Sequence, residues 1–201
     1  MGTVDPSPFT LPWAVLFWAV YIWAFYVAEA AVVRHSKATR AAAPVPTQDG
    51  LKWIALASTA AAVAALGLAY AGVGVPAQPA ATVLFGLGLA LMLAGSALRR
   101  HCFRMLGAAF TYEVRVAPGQ HVVDLGAYRW VRHPAYLAGL VMTLGFGLAT
   151  TSLAAATLVL GVTLIVYLRR IRAEEAALLA TLGDDYRRYA AGRKRLLPFI
   201  Y

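Results

Sequence analysis

The sequence predicts an all-α integral membrane protein with about five transmembrane helices and a cytoplasmic C-terminal helical extension. Three observations predict this fold class. Hydrophobic residues make up 61% of the 201 positions and charged residues only 13%, with a mean hydropathy of +0.66. The hydrophobic residues form runs long enough to cross a bilayer, and the basic residues stand between or after these runs. Such a chain stays soluble only when lipid covers most of its surface, and its length fits one compact helical bundle.

Residues 1–104 are predicted to hold three membrane spans, at about 11–33, 51–75 and 80–98. The first span is rich in Trp and Tyr and carries Glu29 near its end. That carboxylate either snorkels to the membrane interface or faces the bundle, and we favour the interface. The second and third spans are rich in alanine and glycine, and small residues let helices approach closely in lipid.

Residues 134–168 form a run of 35 positions without a charge. One helix of that length rises about 52 Å, which exceeds the thickness of the hydrocarbon core. The polar triplet Thr150-Thr151-Ser152 near the middle of the run therefore favours a hairpin of two short helices, at about 134–150 and 152–168.

The C-terminal residues predict a helical extension that leaves the membrane at Arg169. Apolar residues at helical spacing give this extension one hydrophobic face, and Gly183 is expected to end it. Asp184 or Asp185 can then cap a further short helix.

The distribution of charge predicts the orientation of the chain. Three linkers are basic, namely 34–52, 99–133 and 169–201, and three have no Lys or Arg, namely 1–10, 72–79 and 150–152. Basic linkers stay in the cytoplasm, so we expect the N-terminus outside and the C-terminus at the cytoplasmic face. The net charge of +9 does not indicate a nucleic-acid partner, because no basic stretch is free of the membrane.

The longest polar interruption of the sequence, residues 120–133, leads directly into the fourth span. Pro134 fixes its own φ and has no N–H, which suits the first turn of a helix, and it disfavours the α conformation for His133. Arg132, His133 and Tyr136 should then cluster at a helix N-terminus, where unpaired N–H groups favour an anion. We expect the functional site there.

Four motifs in this half of the chain resemble a known family. They are Gln-His-Val-Val-Asp-Leu-Gly-Ala-Tyr at 120–128, Arg-His-Pro-x-Tyr-x-x-Gly at 132–139, Arg170-x-x-x-Glu174-Glu175, and Leu-Gly-Asp-Asp-Tyr-x-x-Tyr at 182–189. Over roughly residues 105–201 the chain is similar to the isoprenylcysteine carboxyl methyltransferases and their phospholipid methyltransferase relatives.

The resemblance implies a methyltransferase core at 105–201, whose C-terminal helices close a pocket for S-adenosylmethionine at the cytoplasmic face. The substrate, a lipophilic or lipidated molecule, arrives from the membrane. Arg170 matches the position that holds the reacting end of the substrate, and Arg170 and Glu174 are the expected catalytic residues. The expected cofactor-binding residues are Gln120, Val122, Val123, Tyr128, Arg132, His133, Pro134, Tyr136 and Glu174. We predict no metal site.

The residue types suit this chemistry. An ionised Glu174 can only accept hydrogen bonds, so it fits an amine or hydroxyl of the cofactor. Arg170 and Glu174 are four positions apart and share one helix face. Tyr128 and Tyr136 offer flat surfaces for adenine or for a sulfonium. A carboxylate acceptor needs no general base, whereas a thiol or amine would need Glu174 or Glu175.

Other interpretations of these residues remain open. The arginines after residue 168 can simply anchor the last span, the two glutamates can be solvated, His133 can be a helix cap, and the aromatic residues can form an interfacial belt. A second enzyme class, an NADPH-dependent membrane reductase of the sterol-reductase type, is an alternative. So is a non-enzymatic membrane bundle.

Overall fold

A computed structural model describes residues 7–27, 30, 48–106 and 122–197 of the chain, and the regular structure in these ranges is helical apart from one isolated bridge between Val131 and Lys194. The helices are α1 (Trp13–Ile22), continued by a π-helical turn (Trp23–Val27), α2 (Gln48–Tyr70), α3 (Ala80–Leu106), a 3-10 turn (Gly126–Arg129), α4 (Pro134–Ala149), α5 (Leu153–Leu182) and α6 (Asp184–Ala191).

Within the described ranges, three helices are long and apolar enough to cross a membrane, namely Lys52–Tyr70, Ala80–Leu106 and Leu153–Leu182. Two shorter apolar helices, Trp13–Val27 and Pro134–Ala149, accompany them. The predicted class, an all-helical integral membrane protein, is therefore confirmed. The count of five spans stays a prediction, and the end of the first span with Glu29 lies outside the described residues.

Two helices extend beyond their expected ends. Helix α3 runs to Leu106 instead of ending near residue 98. Its basic residues are held against the bundle, because the Arg100 guanidinium lies 4.4 Å from the Trp23 ring centre and Arg99 donates a hydrogen bond of 3.1 Å to the Ala135 carbonyl. The second helix of the hairpin does not end near 168 but continues unbroken to Leu182.

The sequence of α5 explains this continuity. Residues 169–182 are mostly Arg, Ala, Glu and Leu, which favour helix. The helix ends only at Gly183, whose φ of 53° lies in the left-handed region that glycine tolerates. The second span, in contrast, ends earlier than residue 75, because the chain turns through Gly72 and Gly74, both with positive φ.

The core is built around α4, which packs against α3 along the most extensive helix contact of the described residues. A methyl group added to Gly88 would overlap the backbone nitrogen of Ala149, and one added to Gly145 would lie 2.6 Å from the Met92 nitrogen. One added to Gly95 would lie 2.7 Å from Met142 Cγ. We call this contact of Gly88, Gly95 and Gly145 the α3–α4 seam. The glycines let the two helix backbones approach closely, and the Met142 side chain packs against Gly95.

The two ends of the bundle differ in charge. At one end the 72–79 link meets the turn before α5, where the Leu153 N–H donates to the Gly74 carbonyl at 3.0 Å and the Ser152 hydroxyl to the Val73 carbonyl at 2.6 Å. Neither segment carries Lys or Arg. The basic residues from Arg99, Arg132 and the C-terminal segment gather at the other end, which is the separation that the charge pattern predicts.

Candidate functional site

The chain entering α4 is fixed by the C-terminal segment. The Arg132 N–H donates to the Lys194 carbonyl at 2.8 Å, and the His133 N–H donates to the Arg195 carbonyl at 3.0 Å. Helix α4 then begins at Pro134, and His133 adopts φ −127° and ψ 56°, outside the α region. The backbone of the Arg-His-Pro motif is therefore held in place by residues about 60 positions later in the sequence.

The first turn of α4 contacts α5 through a tyrosine and a glutamate. The Tyr136 hydroxyl donates a hydrogen bond of 2.8 Å to Glu174 Oε2, and the Arg170 guanidinium also interacts with this hydroxyl. Arg170 is 8% exposed, so its charge is largely withdrawn from water. The other carboxylate oxygen, Glu174 Oε1, accepts no hydrogen bond from the residues that the structure describes.

Glu175, the next residue, is surrounded by three basic side chains. His133 Nε2 lies 3.2 Å from Glu175 Oε1, Arg132 Nη1 lies 3.1 Å from the same oxygen, and Arg195 Nε donates to Oε2 at 2.9 Å. The Glu175 side chain is 11% exposed and His133 is 4% exposed. Glu175 is therefore neither solvated nor free, and we call the contacts of His133 and Tyr136 with Arg170, Glu174 and Glu175 the polar junction.

Tyr128 approaches the same region from the 3-10 turn. It is 6% exposed, and its carbonyl accepts a hydrogen bond of 2.9 Å from the Tyr189 hydroxyl of α6. Burial, and after it the charges of Cys102 and Glu174, raise the pKa of Tyr128 well above its usual range. Because the Tyr128 phenol lies near Glu174 and stays neutral, it adds a buried aromatic wall beside the polar junction.

The segment before the 3-10 turn is tied to the C-terminus as well. Arg193 pairs with Asp124 at 2.6 Å and lies over the Tyr189 ring, 4.5 Å from its centre. Burial raises the pKa of Tyr189 to about 12, so this hydroxyl remains a donor. Val122 and Val123 precede Asp124 and are half-buried.

Two expectations from the sequence are wrong. The first concerns the anion site expected at the N-terminus of α4, which lacks most of its backbone donors. The Arg132 and His133 N–H groups donate to carbonyls of the C-terminal segment, and Pro134 has no N–H. The Tyr136 N–H donates to the His133 carbonyl at 3.1 Å. The Arg132 and His133 side chains also bind Glu175, Arg132 through Nη1 and His133 through Nε2.

The capping prediction for α6 is the second correction. Gly183 occupies the N-cap position, and neither Asp184 nor Asp185 forms a capping hydrogen bond. The two carboxylates instead pair with arginines three positions later, Asp184 with Arg187 at 2.7 Å and Asp185 with Arg188. His133, which can be read as a cap of α4, makes no side-chain capping bond either.

The structure also shows residues that the sequence analysis missed. Tyr167 packs edge-on against Tyr136, with ring centres 5.0 Å apart. A methyl group added to Gly139 would lie 2.6 Å from the Tyr167 hydroxyl, so this glycine makes room for the tyrosine pair. The spacing of Tyr136 and Gly139 in the second motif was the feature of the sequence that could have indicated this packing. Arg195 left no comparable local pattern, and Tyr189 stood in the fourth motif without an assigned role. Gln120, with Glu113 and Arg115, lies outside the described residues.

The geometry joins the Arg-His-Pro-x-Tyr segment to the arginine and glutamates of α5. Residues 88–180 match the model of the isoprenylcysteine carboxyl methyltransferase family. The resemblance inferred from the four motifs is confirmed. The match begins in α3, well before residue 105, and ends near the end of α5.

Individual relatives are similar over a part of the chain. A probable protein-S-isoprenylcysteine O-methyltransferase of Oryza sativa subsp. japonica is 32% identical over 119 residues, which are 57% of this chain and 61% of that protein. Protein-S-isoprenylcysteine O-methyltransferase A of Arabidopsis thaliana is 27% identical over 115 residues, 56% of this chain and 58% of that protein. A methanethiol S-methyltransferase of Mycobacterium tuberculosis is 35% identical over 132 residues, 61% of this chain and 51% of that protein.

The fold is shared more widely than the sequence. A similar solved structure is that of the eukaryotic intramembrane Ras methyltransferase ICMT (isoprenylcysteine carboxyl methyltransferase) without a monobody. The two structures superpose with a TM-score of 0.62 at 20% sequence identity, and the superposition covers 92% of this chain and 64% of that chain. At this identity the likeness shows the fold alone. This chain spans 61% or less of the length of the three relatives described above.

Proposed function

We propose that the protein is a membrane-embedded methyltransferase that uses S-adenosylmethionine to methylate a lipophilic acceptor, with a carboxylate as the first choice. The observation that carries this proposal is the 2.8 Å hydrogen bond between Tyr136 and Glu174, which joins the two motif segments into one site. The family match over residues 88–180 supports it. From the charge pattern, the site faces the cytoplasm and the N-terminus lies outside.

The residues at the polar junction fit S-adenosylmethionine. Glu174 Oε1 has no described donor and can accept from an amine or a ribose hydroxyl of the cofactor. Tyr128 and Tyr136 provide aromatic surfaces, and Val122, Val123 and Pro134 provide apolar ones. Gln120, Arg132 and His133 complete the proposed set, with Arg132 and His133 positioned by Glu175. When bound, the cofactor supplies an electrophilic methyl group on a positively charged sulfur.

Arg170 is the proposed substrate-binding residue. Its guanidinium is buried at the polar junction and can hold one oxygen of an acceptor carboxylate, leaving the other oxygen free to attack the methyl carbon. The cofactor would supply the methyl group to that oxygen and would keep the electron pair of its broken C–S bond on sulfur. Two opposite charges disappear in this step, so a dry site does not oppose it, and correct positioning contributes up to about 7 to 11 kcal/mol.

A thiol acceptor is the second candidate, because the methanethiol S-methyltransferase is among the similar proteins. A thiol must lose a proton before attack. Glu175 is a poor base for this, since Arg132, His133 and Arg195 all stabilise its ionised form. The thiol reaction would therefore depend on Glu174, whose Oε1 faces no described donor.

The proposal is tested by binding and turnover measured on the same preparations. We expect detergent-solubilised protein to bind S-adenosylhomocysteine in calorimetric titration. Glu174→Ala should weaken that binding by about tenfold or more, since hydrogen bonds to a carboxylate contribute about 1.5 to 3 kcal/mol. Arg170→Ala should keep the binding and lose at least about a hundredfold in transfer of labelled methyl to a lipid extract.

Arg169→Ala is the matched control, because Arg169 is exposed on the neighbouring position of α5 and should leave both measurements unchanged. Equal turnover of the Arg170→Ala and wild-type proteins would refute the substrate role. Thermal stabilisation by NADPH but not by S-adenosylhomocysteine would favour the reductase alternative instead. Absence of both responses in folded protein would favour a non-enzymatic bundle.

The pH dependence of turnover separates the two acceptor classes. A carboxylate acceptor is already ionised above about pH 5, so the rate should be flat between pH 6 and 9. A thiol acceptor should give a rate that rises with pH over this range, and Glu174→Gln should abolish its activity at pH 6. A rising profile with a purified acceptor would contradict the carboxylate assignment.

A further inference from the structure

Helix α5 has a second polar face, which adjoins the polar junction at Glu175. A cavity of about 490 Å³ lies between α5, α6 and the C-terminal segment. From helix geometry, Arg172, Ala176 and Leu179 lie roughly 180° to 240° around the axis of α5 from Arg170. The residues that line the cavity are Arg132, Arg172, Glu175, Ala176, Leu179, Tyr186, Arg187, Ala190, Ala191 and Arg195.

The cavity carries an excess of positive charge. Four of its lining residues are arginines and one is a carboxylate, Glu175. Arg187 also pairs with Asp184. Arg172 makes no side-chain ion pair within the described part of the chain. The excess of arginines, with Arg172 among them, therefore favours an anion in the cavity.

Two buried donors at this cavity have no described partner. They are the Tyr186 hydroxyl and Arg132 Nε, and Tyr186 as a whole is 5% exposed. Burial, and after it the charge of Glu175, raise the pKa of Tyr186 above its usual range, so its hydroxyl stays protonated. Glu175 and Arg132, the charges that act most on this hydroxyl, line the cavity too. Buried donors without partners are uncommon in proteins and call for an acceptor.

The position of the cavity along α5 indicates where that acceptor comes from. The apolar part of α5 ends at Leu168, and Arg172 to Leu179 lie about 6 to 16 Å farther along the axis. The headgroup region of a bilayer is about 5 to 7 Å thick on each side, so the near edge of the cavity is level with lipid phosphates. Ala176, Leu179, Ala190 and Ala191 add an apolar wall that suits glycerol and the first acyl carbons.

We propose that this cavity binds a phosphate group, supplied by the headgroup of an anionic lipid. Arg172 and Arg187 stand at its mouth, Tyr186 donates from its wall, and the apolar residues contact the lipid backbone. The site shares Arg132 and Glu175 with the entry to α4, but it does not depend on the methyl-transfer reaction. Bound lipid would join α6 to α5 and so support the segment that holds Arg132 and His133.

The test uses the full chain in detergent. Short-chain phosphatidic acid is added in one experiment and inorganic phosphate in the other, and the thermal unfolding temperature is measured as a function of the concentration of each. Phosphatidic acid should stabilise the wild type. Arg172→Gln should weaken this response by about tenfold, and Tyr186→Phe by about fivefold. Without lipid, Tyr186→Phe should unfold at or above the wild-type temperature, because it removes only an unpartnered hydroxyl.

Arg169→Gln is the matched control for general attraction between basic residues and lipid, since it is the same change on the same helix outside the cavity. An equal loss in Arg169→Gln, no response to either probe, or displacement of the lipid by S-adenosylhomocysteine would overturn the proposal. Equal affinity for both probes would overturn the lipid source and leave a site for soluble phosphate.

Discussion

The α3–α4 seam and the polar junction lie on the same helix, α4, and are held together in opposite ways. At the seam, glycines let two helix backbones touch, at Gly88 and Gly145, and leave room for the Met142 side chain at Gly95. At the junction, long side chains from α4 and α5 meet through charged groups and a hydrogen bond. The seam leaves no room for an added atom, whereas the junction leaves carboxylate oxygen Glu174 Oε1 without a described donor.

We expect the two regions of α4 to differ in what a substitution changes, stability at the seam and ligand binding at the junction. Packing at the seam depends on shape, so substitutions there should change folding before they change chemistry. The junction depends on charge and orientation, so substitutions there should change ligand binding first. Gly139 connects the two, since it leaves room for Tyr167 beside Tyr136 within the helix that forms the seam.

The largest loss of stability is expected at the seam. In Gly88→Ala the new methyl group would overlap backbone atoms of α4, which cannot move aside as a side chain can. We expect a cost of about 3 kcal/mol or more, seen as a large fall in the thermal unfolding temperature in detergent.

Gly86→Ala provides the control two positions away on the same helix. A methyl group there meets nothing within 4 Å, and alanine favours helix over glycine by about 1 kcal/mol. Gly86→Ala should therefore unfold at or above the wild-type temperature. Similar unfolding temperatures for the two variants would show that the seam is not tightly packed.

A smaller loss of stability is expected for Glu175→Gln. The change leaves Arg132, His133 and Arg195 without their shared anion in a mostly buried setting, and we expect a cost of about 2 kcal/mol. Asp185→Asn is the control, because its pair with Arg188 is exposed and should contribute nothing measurable to thermal unfolding. If the two variants unfold alike, Glu175 does not hold the entry to α4.

The ends of the helices could be predicted from the sequence where a single residue has a strong conformational preference. Pro134 begins α4, Gly183 ends α5, and the turn between the two helices lies at Thr150 to Ser152, with Ser152 accepting a hydrogen bond of 3.0 Å from the Ala155 N–H. The end of α5 at 168 was misjudged because a change in hydropathy marks the membrane boundary but does not stop a helix.

The candidate site could be predicted from the sequence only in part, because some of its contacts join residues far apart in the chain. Tyr136, His133 and the α5 carboxylates carry recognisable spacing, and the structure brings them together. The contacts of Arg195 and Tyr189 with the entry to α4 and the 3-10 turn join residues about 60 positions apart, and no periodic pattern records such pairs. The Arg132 and His133 N–H groups at the helix mouth are bonded to the carbonyls of Lys194 and Arg195, which are just as distant in the sequence.

The central claim, that the two motif segments form one cofactor site, is tested most directly by a double-mutant cycle on S-adenosylhomocysteine affinity. Tyr136→Phe and Glu174→Gln are each made alone and together, and calorimetric titration gives four dissociation constants. Because the two side chains share a hydrogen bond of 2.8 Å, we predict coupling of about 1 kcal/mol, with the double variant binding about fivefold better than additivity requires. Strictly additive losses, or unchanged affinity in all three variants, would contradict the account.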